Sequence, residues 1–163
     1  MDYVADFIAY LRYEKRYSNH TVQAYESDLE QFFLFLNETY PDTQLAKMSH
    51  MPVRSWLAQL KEQGMLARSI NRKISSLKSF FRFLQRKGLI VTSPMGKIIS
   101  PKNAKRLPVF VNESNMETLL ESIPFPEGFK GMTDRLILEL LYQTGIRRAE
   151  LIGLRCDDVD LSR

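Results

Sequence analysis

The chain contains one cysteine, two histidines and no long uninterrupted apolar segment, and each shortage excludes a class of protein. A single cysteine, Cys156, cannot form an intrachain disulfide and fits a reducing compartment. His20 and His50 have no cysteine or carboxylate cluster at ligand spacing, so we predict no metal site. No segment approaches the roughly 18 apolar residues of a transmembrane helix, and residues 1–10 are acidic where a signal peptide is basic. The sequence therefore predicts a soluble, cytoplasmic protein without a membrane partner.

Acidic residues are almost absent from the middle of the chain. Residues 47–106 carry 14 lysines and arginines against one acidic residue, whereas residues 1–46 carry 3 against 8 and residues 107–163 carry 6 against 10. The net charge of +4 for the whole chain hides this uneven distribution. A segment that is almost entirely positive is typical of a protein whose partner is a polyanion.

Four amphipathic helices are predicted at the start of the chain. Apolar residues recur at helical spacing over residues 2–16, from the Ser18 cap to Tyr40, from Ser49 to Gly64, and over residues 68–87. Helix-capping residues, prolines or glycines separate these segments. Four such helices bury their apolar stripes by packing together, so we expect a mainly α fold that begins with a four-helix domain.

The fourth predicted helix has one apolar face and one basic face. The basic face, which we call the basic ridge, contains Arg68, Arg72, Ser75, Ser79, Arg82 and Arg86. Arginines on a solvated helix face are common and often serve solubility alone. This face has no acidic residue and has small serines between its arginines, whereas a face that serves solubility mixes both signs of charge. We therefore favour contact with DNA, in which the arginines reach phosphates or guanine edges.

The start of the second helix is another candidate contact with DNA. Ser18, Asn19 and Thr21 place polar side chains beside the exposed amides of a helix N-terminus, where a phosphate oxygen is favoured. An ordinary helix cap accounts for the same residues equally well. Both interpretations stay open at this point.

Residues 91–110 interrupt every helical period with prolines and a glycine, and their charged residues are all cations. This composition predicts an extended basic linker between two domains. Such a linker could follow a phosphate backbone, and its candidate contacts are Lys102, Lys105 and Arg106.

The segment from Leu140 to Leu154 is predicted to form a sharp corner. An apolar helix with its cap at Thr133 or Asp134 stops at Gly145, and a second short helix follows at once. Glycine takes positive φ without steric cost, so the chain can reverse there. Arg147 would then be held on a rigid corner, although a solvated arginine near a helix end is the simpler alternative.

This corner matches the Thr-Gly-Leu-Arg-x-x-Glu-Leu pattern of the tyrosine recombinases, with Ile146 in place of leucine. The matching residues are Thr144, Gly145, Arg147, Glu150 and Leu151. In this pattern, in the stretch from Ser18 to Leu36 and in Ser69-Ile70-Asn71-Arg72, the chain resembles phage integrases and XerC/XerD-like recombinases. The resemblance implies a four-helix SAM-like core-binding domain at 1–90, the linker at 91–110, and the first helices of a truncated catalytic domain at 111–163.

The resemblance also implies a chemistry. In that family a tyrosine attacks a DNA phosphodiester and forms a 3′-phosphotyrosyl bond, with no metal or nucleotide cofactor. Arg147 would be the first arginine that binds the reacting phosphate, because a guanidinium meets two phosphate oxygens with parallel donors. Glu150 would orient that arginine, although an ordinary surface carboxylate is an equal alternative. The implied partners are double-stranded DNA and other recombinase protomers, two on a site and four in a synapse.

Two parts of the family pattern are missing from the sequence. It has no His-x-x-Arg, and all seven tyrosines precede Arg147, whereas the family nucleophile lies downstream. We therefore expect an N-terminal fragment that binds DNA and cannot cleave it. The alternatives are a non-enzymatic helical DNA-binding protein or regulator, and a helical protein-interaction module whose basic face meets an acidic protein.

Overall fold

The structure is a computed structural model that describes residues 3–102 and 112–159. The chain divides into two compact units, Met1–Lys105 and Arg106–Arg163. Within the described residues every regular element is helical, which confirms the predicted mainly α fold. None of the helices described is both long enough and apolar enough to cross a membrane.

The first unit contains the four predicted helices. They are α1 (Tyr3–Ala9), α2 (Asn19–Thr39), α3 (His50–Glu62) and α4 (Ala67–Arg86). A π-helical turn, Tyr10–Glu14, continues α1, and the chain then bends at Arg16, which has a left-handed φ of 52°. Serine side chains cap the next two helices, since Ser18 accepts the amide hydrogen of Thr21 and Ser49 accepts that of Met51.

The core of the first unit forms where the apolar stripes of these helices meet. Rings of Phe7 and Phe80 pack edge to face with centroids 5.4 Å apart, and rings of Phe32 and Trp56 do so at 5.2 Å. Burial of each such side chain contributes on the order of 1.5–3 kcal/mol. Helix α4 packs against the other three helices, so its apolar face is fixed in the core and its basic face is fixed outward.

The first unit continues past the boundary that we predicted at residue 90. The chain forms a 3₁₀ turn at Pro94–Lys97, against α3 and α4, and Met95 and Ile98 are buried in the same core. The predicted extended linker at 91–110 therefore begins with a packed segment. The reason is that its prolines end the helical period while its apolar side chains still bury against the bundle.

The second unit contains α5 (Glu113–Ser122), α6 (Phe129–Thr144) and α7 (Arg148–Gly153), followed by a 3₁₀ turn at Cys156–Asp158. Asn112 caps α5 by accepting the amide hydrogen of Asn115, as its sequence position predicted. The apolar side chains described in this unit are half exposed or exposed, and none of them is buried.

Helix α6 begins at Phe129 with Gly128 as its cap residue, so the cap at Thr133 or Asp134 that we predicted is wrong by five or six residues. Gly128 adopts a φ of 89° before the helix, and a Cβ at Gly131 would lie 1.7 Å from the carbonyl oxygen of Pro126. The absence of a side chain at Gly131 thus lets the first turn of α6 pack against the preceding segment, residues 123–128, which contains Pro124 and Pro126. The hydroxyl of Thr133 donates to the carbonyl of Phe129 within the helix and caps nothing.

Candidate nucleic-acid interface and arginine corner

Helix α4 carries all six residues of the basic ridge between Ala67 and Arg86. Arg68 and Arg82 are exposed, and neither has an acidic partner within ion-pair distance in the parts of the chain that the structure describes. Arg68 lies in the first turn, directly after the helix start at Ala67. These two arginines therefore present uncompensated charge near the start of the ridge and one turn before its end.

Arg72 is bound to α2 through one end of its side chain. Its Nη1 donates to Asp28 Oδ2 at 2.7 Å and to the carbonyl oxygen of Ala24 at 3.3 Å. The side chain nevertheless remains 48% exposed. The sequence placed Arg72 on the basic ridge without an acidic neighbour, and the structure supplies one from another helix.

Arg86 is held at the opposite end of the ridge by Tyr10. Its guanidinium carbon lies 5.0 Å from the centroid of the Tyr10 ring, and its Nη2 donates to the Tyr10 hydroxyl. This hydrogen bond, together with the positive charge of Arg86, lowers the pKa of the Tyr10 phenol. The π-helical turn that contains Tyr10 therefore orients the last arginine of the ridge.

The two serines of the ridge have different surroundings. The Ser75 hydroxyl is exposed and donates to the carbonyl oxygen of Asn71 one turn earlier, whereas Ser79 is half buried. Neither side chain extends beyond the helix surface as the arginines do, so the serines leave space between the guanidinium groups.

A buried polar cluster lies beneath the ridge, and the sequence patterns did not predict it. Asp28 of α2 is fully buried and receives hydrogen bonds from Arg72, Lys73 and Ser76 of α4. Lys73 and Ser76 are themselves buried. The helical register could have predicted this cluster, because Asp28 lies within the apolar stripe of α2 and Lys73 within that of α4.

The candidate contact at the start of α2 forms a helix cap. The Ser18 and Thr21 hydroxyl oxygens lie 2.9 Å apart, and Ser18 also accepts the Thr21 amide hydrogen at 3.3 Å. Asn19 is the exposed first residue of the helix. Of the linker candidates, Lys102 is exposed, while Lys105 and Arg106 lie outside the described residues.

The corner that holds Arg147 satisfies its backbone donors internally. Gly145 has a φ of 65° and donates its amide hydrogen to Leu141, while the Ile146 amide donates to the Thr144 hydroxyl at 3.2 Å. The next amide, that of Arg147, donates to Glu150 Oε2 at 2.9 Å. The left-handed glycine predicted from the sequence is confirmed, and it allows the tight connection between α6 and α7.

Glu150 binds both the backbone and the side chain of Arg147. Its Oε1 accepts from Nη1 of the guanidinium at 2.8 Å, while the Arg147 side chain stays 83% exposed. The bond from the Arg147 amide, and then the bond from its guanidinium, lowers the pKa of the Glu150 carboxyl. The corner thus presents an oriented, exposed guanidinium that can meet an anionic oxygen.

No cluster of three or more histidine, cysteine or carboxylate side chains that could hold a metal ion occurs in residues 3–102 or 112–159. The ridge and the arginine corner offer guanidinium groups and hydroxyls as their donors. Their common ligand is an oxyanion such as a phosphate.

Both units match family models. Residues 4–88 match the model described as phage integrase, N-terminal SAM-like domain, and residues 110–163 match the phage integrase family. The solved structure of the Tn1549 transposon integrase in complex with circular intermediate DNA has a TM-score of 0.70 and 19% identity. The alignment covers 98% of this chain and 51% of the integrase chain, and it shows a similarity of fold.

Curated relatives agree with these matches. The tyrosine recombinase XerC of Staphylococcus carnosus (strain TM300) is 36% identical over 156 residues, which are 96% of this chain and 52% of that protein. The tyrosine recombinase XerC of Listeria innocua serovar 6a is 39% identical with the same coverage. The chain spans about half the length of these relatives. Because the N-terminal model alone matches more than half of its residues, the chain belongs to the phage integrase family of tyrosine recombinases.

Proposed function

We propose that this chain is the DNA-grasping region and the first catalytic helices of a site-specific tyrosine recombinase. The observation that carries the proposal is the basic ridge of α4, which is fixed outward by a buried apolar face and contains no acidic residue. A fixed row of guanidinium groups suits a phosphate backbone, which presents regularly spaced negative charge. The proposed partner is double-stranded DNA, and the proposed location is the cytoplasm.

The proposed DNA contacts are the ridge residues, the α2 start and the basic segment around Lys102. The ridge would supply most of the binding free energy, since each arginine that neutralises a phosphate releases condensed counterions. Ser18, Asn19 and Thr21 would add a phosphate contact, although the first and last already form a cap. The Tn1549 transposon integrase, which is similar in fold, was solved in complex with circular intermediate DNA, and this supports the proposed partner.

In the proposed reaction a tyrosine hydroxyl attacks phosphorus, the tyrosine–phosphate bond forms, and the 5′ oxygen of the next nucleotide leaves. Negative charge grows on the non-bridging oxygens as phosphorus becomes five-coordinate. Arg147 is proposed to bind two of these oxygens, and its exposed guanidinium at the corner supports that role. Glu150 is proposed to orient Arg147 through the two hydrogen bonds already described.

The nucleophile is proposed to lie outside these 163 residues. The last tyrosine in the sequence, Tyr142, precedes Arg147, and no His-x-x-Arg is present. The chain is therefore proposed to bind DNA without cutting it, and the complete recombinase to act as two protomers on a site and four in a synapse.

Binding of this chain to a short mixed-sequence duplex, followed by fluorescence anisotropy over a range of salt concentrations, tests the proposal. We expect binding that weakens linearly in log affinity against log salt. Absence of binding at low salt would favour the helical protein-interaction module instead. A non-enzymatic DNA binder is distinguished by testing the protein encoded by the whole reading frame for a covalent adduct with a nicked duplex.

A further inference from the structure

Asp28 receives three hydrogen bonds from consecutive turns of α4. Its Oδ2 accepts from Arg72 Nη1 at 2.7 Å and from Ser76 Oγ at 2.8 Å, and its Oδ1 accepts from Lys73 Nζ at 2.9 Å. The carboxylate has no exposed surface. This carboxylate binds the inner side of the helix that is proposed to contact DNA, so its negative charge can act on the cations of the basic ridge.

Lys73 supplies the charge that balances Asp28. Its side chain is 3% exposed, and its Nζ also donates to Gln31 Oε1 at 2.6 Å and lies 5.7 Å from the centroid of the Trp56 ring. One carboxylate thus faces two cations, and the surplus positive charge belongs to the exposed member, Arg72. Asp28 can therefore hold Arg72 without cancelling its charge.

The hydrogen bonds of Arg72 use one end of the guanidinium only. Both bonds to α2 come from Nη1, and within the described residues Nε and Nη2 have no hydrogen-bond partner. The Nε and Nη2 hydrogens lie on one edge of the planar group and are parallel, which matches the spacing of two phosphate oxygens. The side chain is 48% exposed, and its hydrogen bonds to α2 leave the donors of this edge unused while Nη1 is fixed.

Fixing Arg72 before binding reduces the conformational entropy that binding removes. A long arginine side chain loses rotamer freedom when it contacts a ligand, and Arg68 and Arg82 must lose it on binding because no described group holds them. Arg72 has already lost part of that freedom to Asp28. It is thus a better-ordered phosphate ligand than its neighbours on the ridge.

We propose that Asp28 is a positioning residue that orients Arg72 for bidentate contact with a DNA phosphate, with Lys73 as the counterion that leaves the charge of Arg72 available. This proposal rests on the proposed DNA-binding function. It opposes a simpler electrostatic expectation, in which Asp28 weakens DNA binding by partly neutralising Arg72. The two ideas predict opposite signs when the carboxylate is removed.

The test compares Asp28→Asn with Glu30→Gln in the full chain. Both substitutions remove one negative charge from α2, but Glu30 is exposed and forms no ion pair with Arg72 or another cation of the described residues. Affinity for a short mixed-sequence duplex and its salt dependence are measured by anisotropy, with the folded fraction followed by circular dichroism. We expect Glu30→Gln to bind as tightly as the unsubstituted chain or more tightly, and Asp28→Asn to bind about 3- to 10-fold more weakly. For Asp28→Asn, the slope of log affinity against log salt should become shallower by about 0.9, the value for one lost phosphate contact.

Arg72→Ala completes a double-mutant cycle. If Asp28 acts through Arg72, adding Asp28→Asn to Arg72→Ala weakens binding no further, whereas a general structural role makes the two effects add. Should Asp28→Asn unfold the chain, the pair Asp28→Asn with Lys73→Met replaces it, because this pair keeps the net charge and leaves no buried cation. The pair should also weaken binding only when Arg72 is present.

Each outcome decides between the ideas. The positioning role is overturned if Asp28→Asn, or the replacement pair, binds the duplex as tightly as the unsubstituted chain or more tightly. It is also overturned if the effects of Asp28→Asn and Arg72→Ala add. If the unsubstituted chain itself fails to bind the duplex at low salt, the DNA-binding function fails and this proposal fails with it. Binding by the unsubstituted chain together with additivity rejects the positioning role alone.

Discussion

Glu150 holds Arg147 at two points, accepting its backbone amide hydrogen at 2.9 Å with one oxygen and its guanidinium Nη1 at 2.8 Å with the other. The first bond belongs to a capping box, in which the side chain of the third helical residue accepts the backbone amide hydrogen of the cap residue that precedes the helix. The second bond orients an otherwise exposed side chain. One carboxylate thus fixes both the start of α7 and the direction of the arginine.

The protonation of Glu150 should control this corner. Its lowered pKa means that the carboxylate stabilises the corner above its unfolded-state pKa, and this contribution is lost as the pH falls through the lowered value. An NMR titration of the Glu150 side-chain carbonyl should give a pKa below that of an ordinary glutamate. In Arg147→Ala the pKa of Glu150 should still be lowered, but by less, because the backbone amide of residue 147 is the larger cause and remains. A normal pKa in the unsubstituted chain would contradict the two hydrogen bonds.

A side chain at Gly145 should destabilise the corner, because its φ of 65° is strained for residues other than glycine. We expect Gly145→Ala to destabilise the corner by roughly 1 kcal/mol. Gly153→Ala is the matched control, since a methyl group added at either glycine would meet no atom within 4 Å and, of the two, only Gly145 has positive φ. Amide hydrogen exchange of α7 measures the difference. Equal protection in both variants would show that the left-handed turn is not needed.

Removing the ridge arginines together should flatten the salt dependence of DNA binding. If Arg68, Arg72, Arg82 and Arg86 all neutralise phosphates, their replacement by alanine lowers the log-affinity against log-salt slope by roughly 3 to 4. A control removes the same charge from exposed cations outside the ridge and the basic linker, namely Arg12, Lys47, Arg54 and Lys61. We expect a smaller change in slope for the control, and an equal change would remove the ridge from the interface.

In the complete recombinase, Arg147→Ala should abolish covalent capture of a nicked recombination site. Loss of an arginine that binds the reacting phosphate lowers the rate by at least on the order of 10³. Arg148→Ala, on the adjacent exposed residue, is the control and should leave adduct formation near normal. The yield of covalent protein–DNA complex on a denaturing gel measures both. A near-normal yield for Arg147→Ala would exclude its proposed role.

The buried pair beneath the ridge should dominate stability in the first unit. Asp28→Asn leaves Lys73 buried without its carboxylate, and we expect a loss of roughly 3–5 kcal/mol in the free energy of unfolding. The pair Asp28→Asn with Lys73→Met should lose much less, because no unpaired buried charge remains. Urea unfolding followed by circular dichroism compares them with Glu30→Gln, for which we expect a change within about 0.5 kcal/mol. A small loss for the single variant would show that Lys73 escapes to solvent.

Local patterns predicted much of the fold. The four N-terminal helices, the Ser18 and Asn112 caps and the left-handed Gly145 all depend on a few consecutive residues, so their physics is present in the sequence. The direction of the basic ridge also followed, because an apolar stripe on one side of α4 forces the other side outward.

What the sequence alone could not determine depends on contacts between distant residues. The packing of Met95 and Ile98 extended the first unit, and the approach of Gly131 to Pro126 set the start of α6. Asp28 lies 44 residues before Arg72 in the chain, yet their side chains meet at 2.7 Å. Sequence periodicity identified Arg72 as an outward cation, and only the packing of α2 against α4 determined that a buried carboxylate holds it and that Lys73 balances the charge.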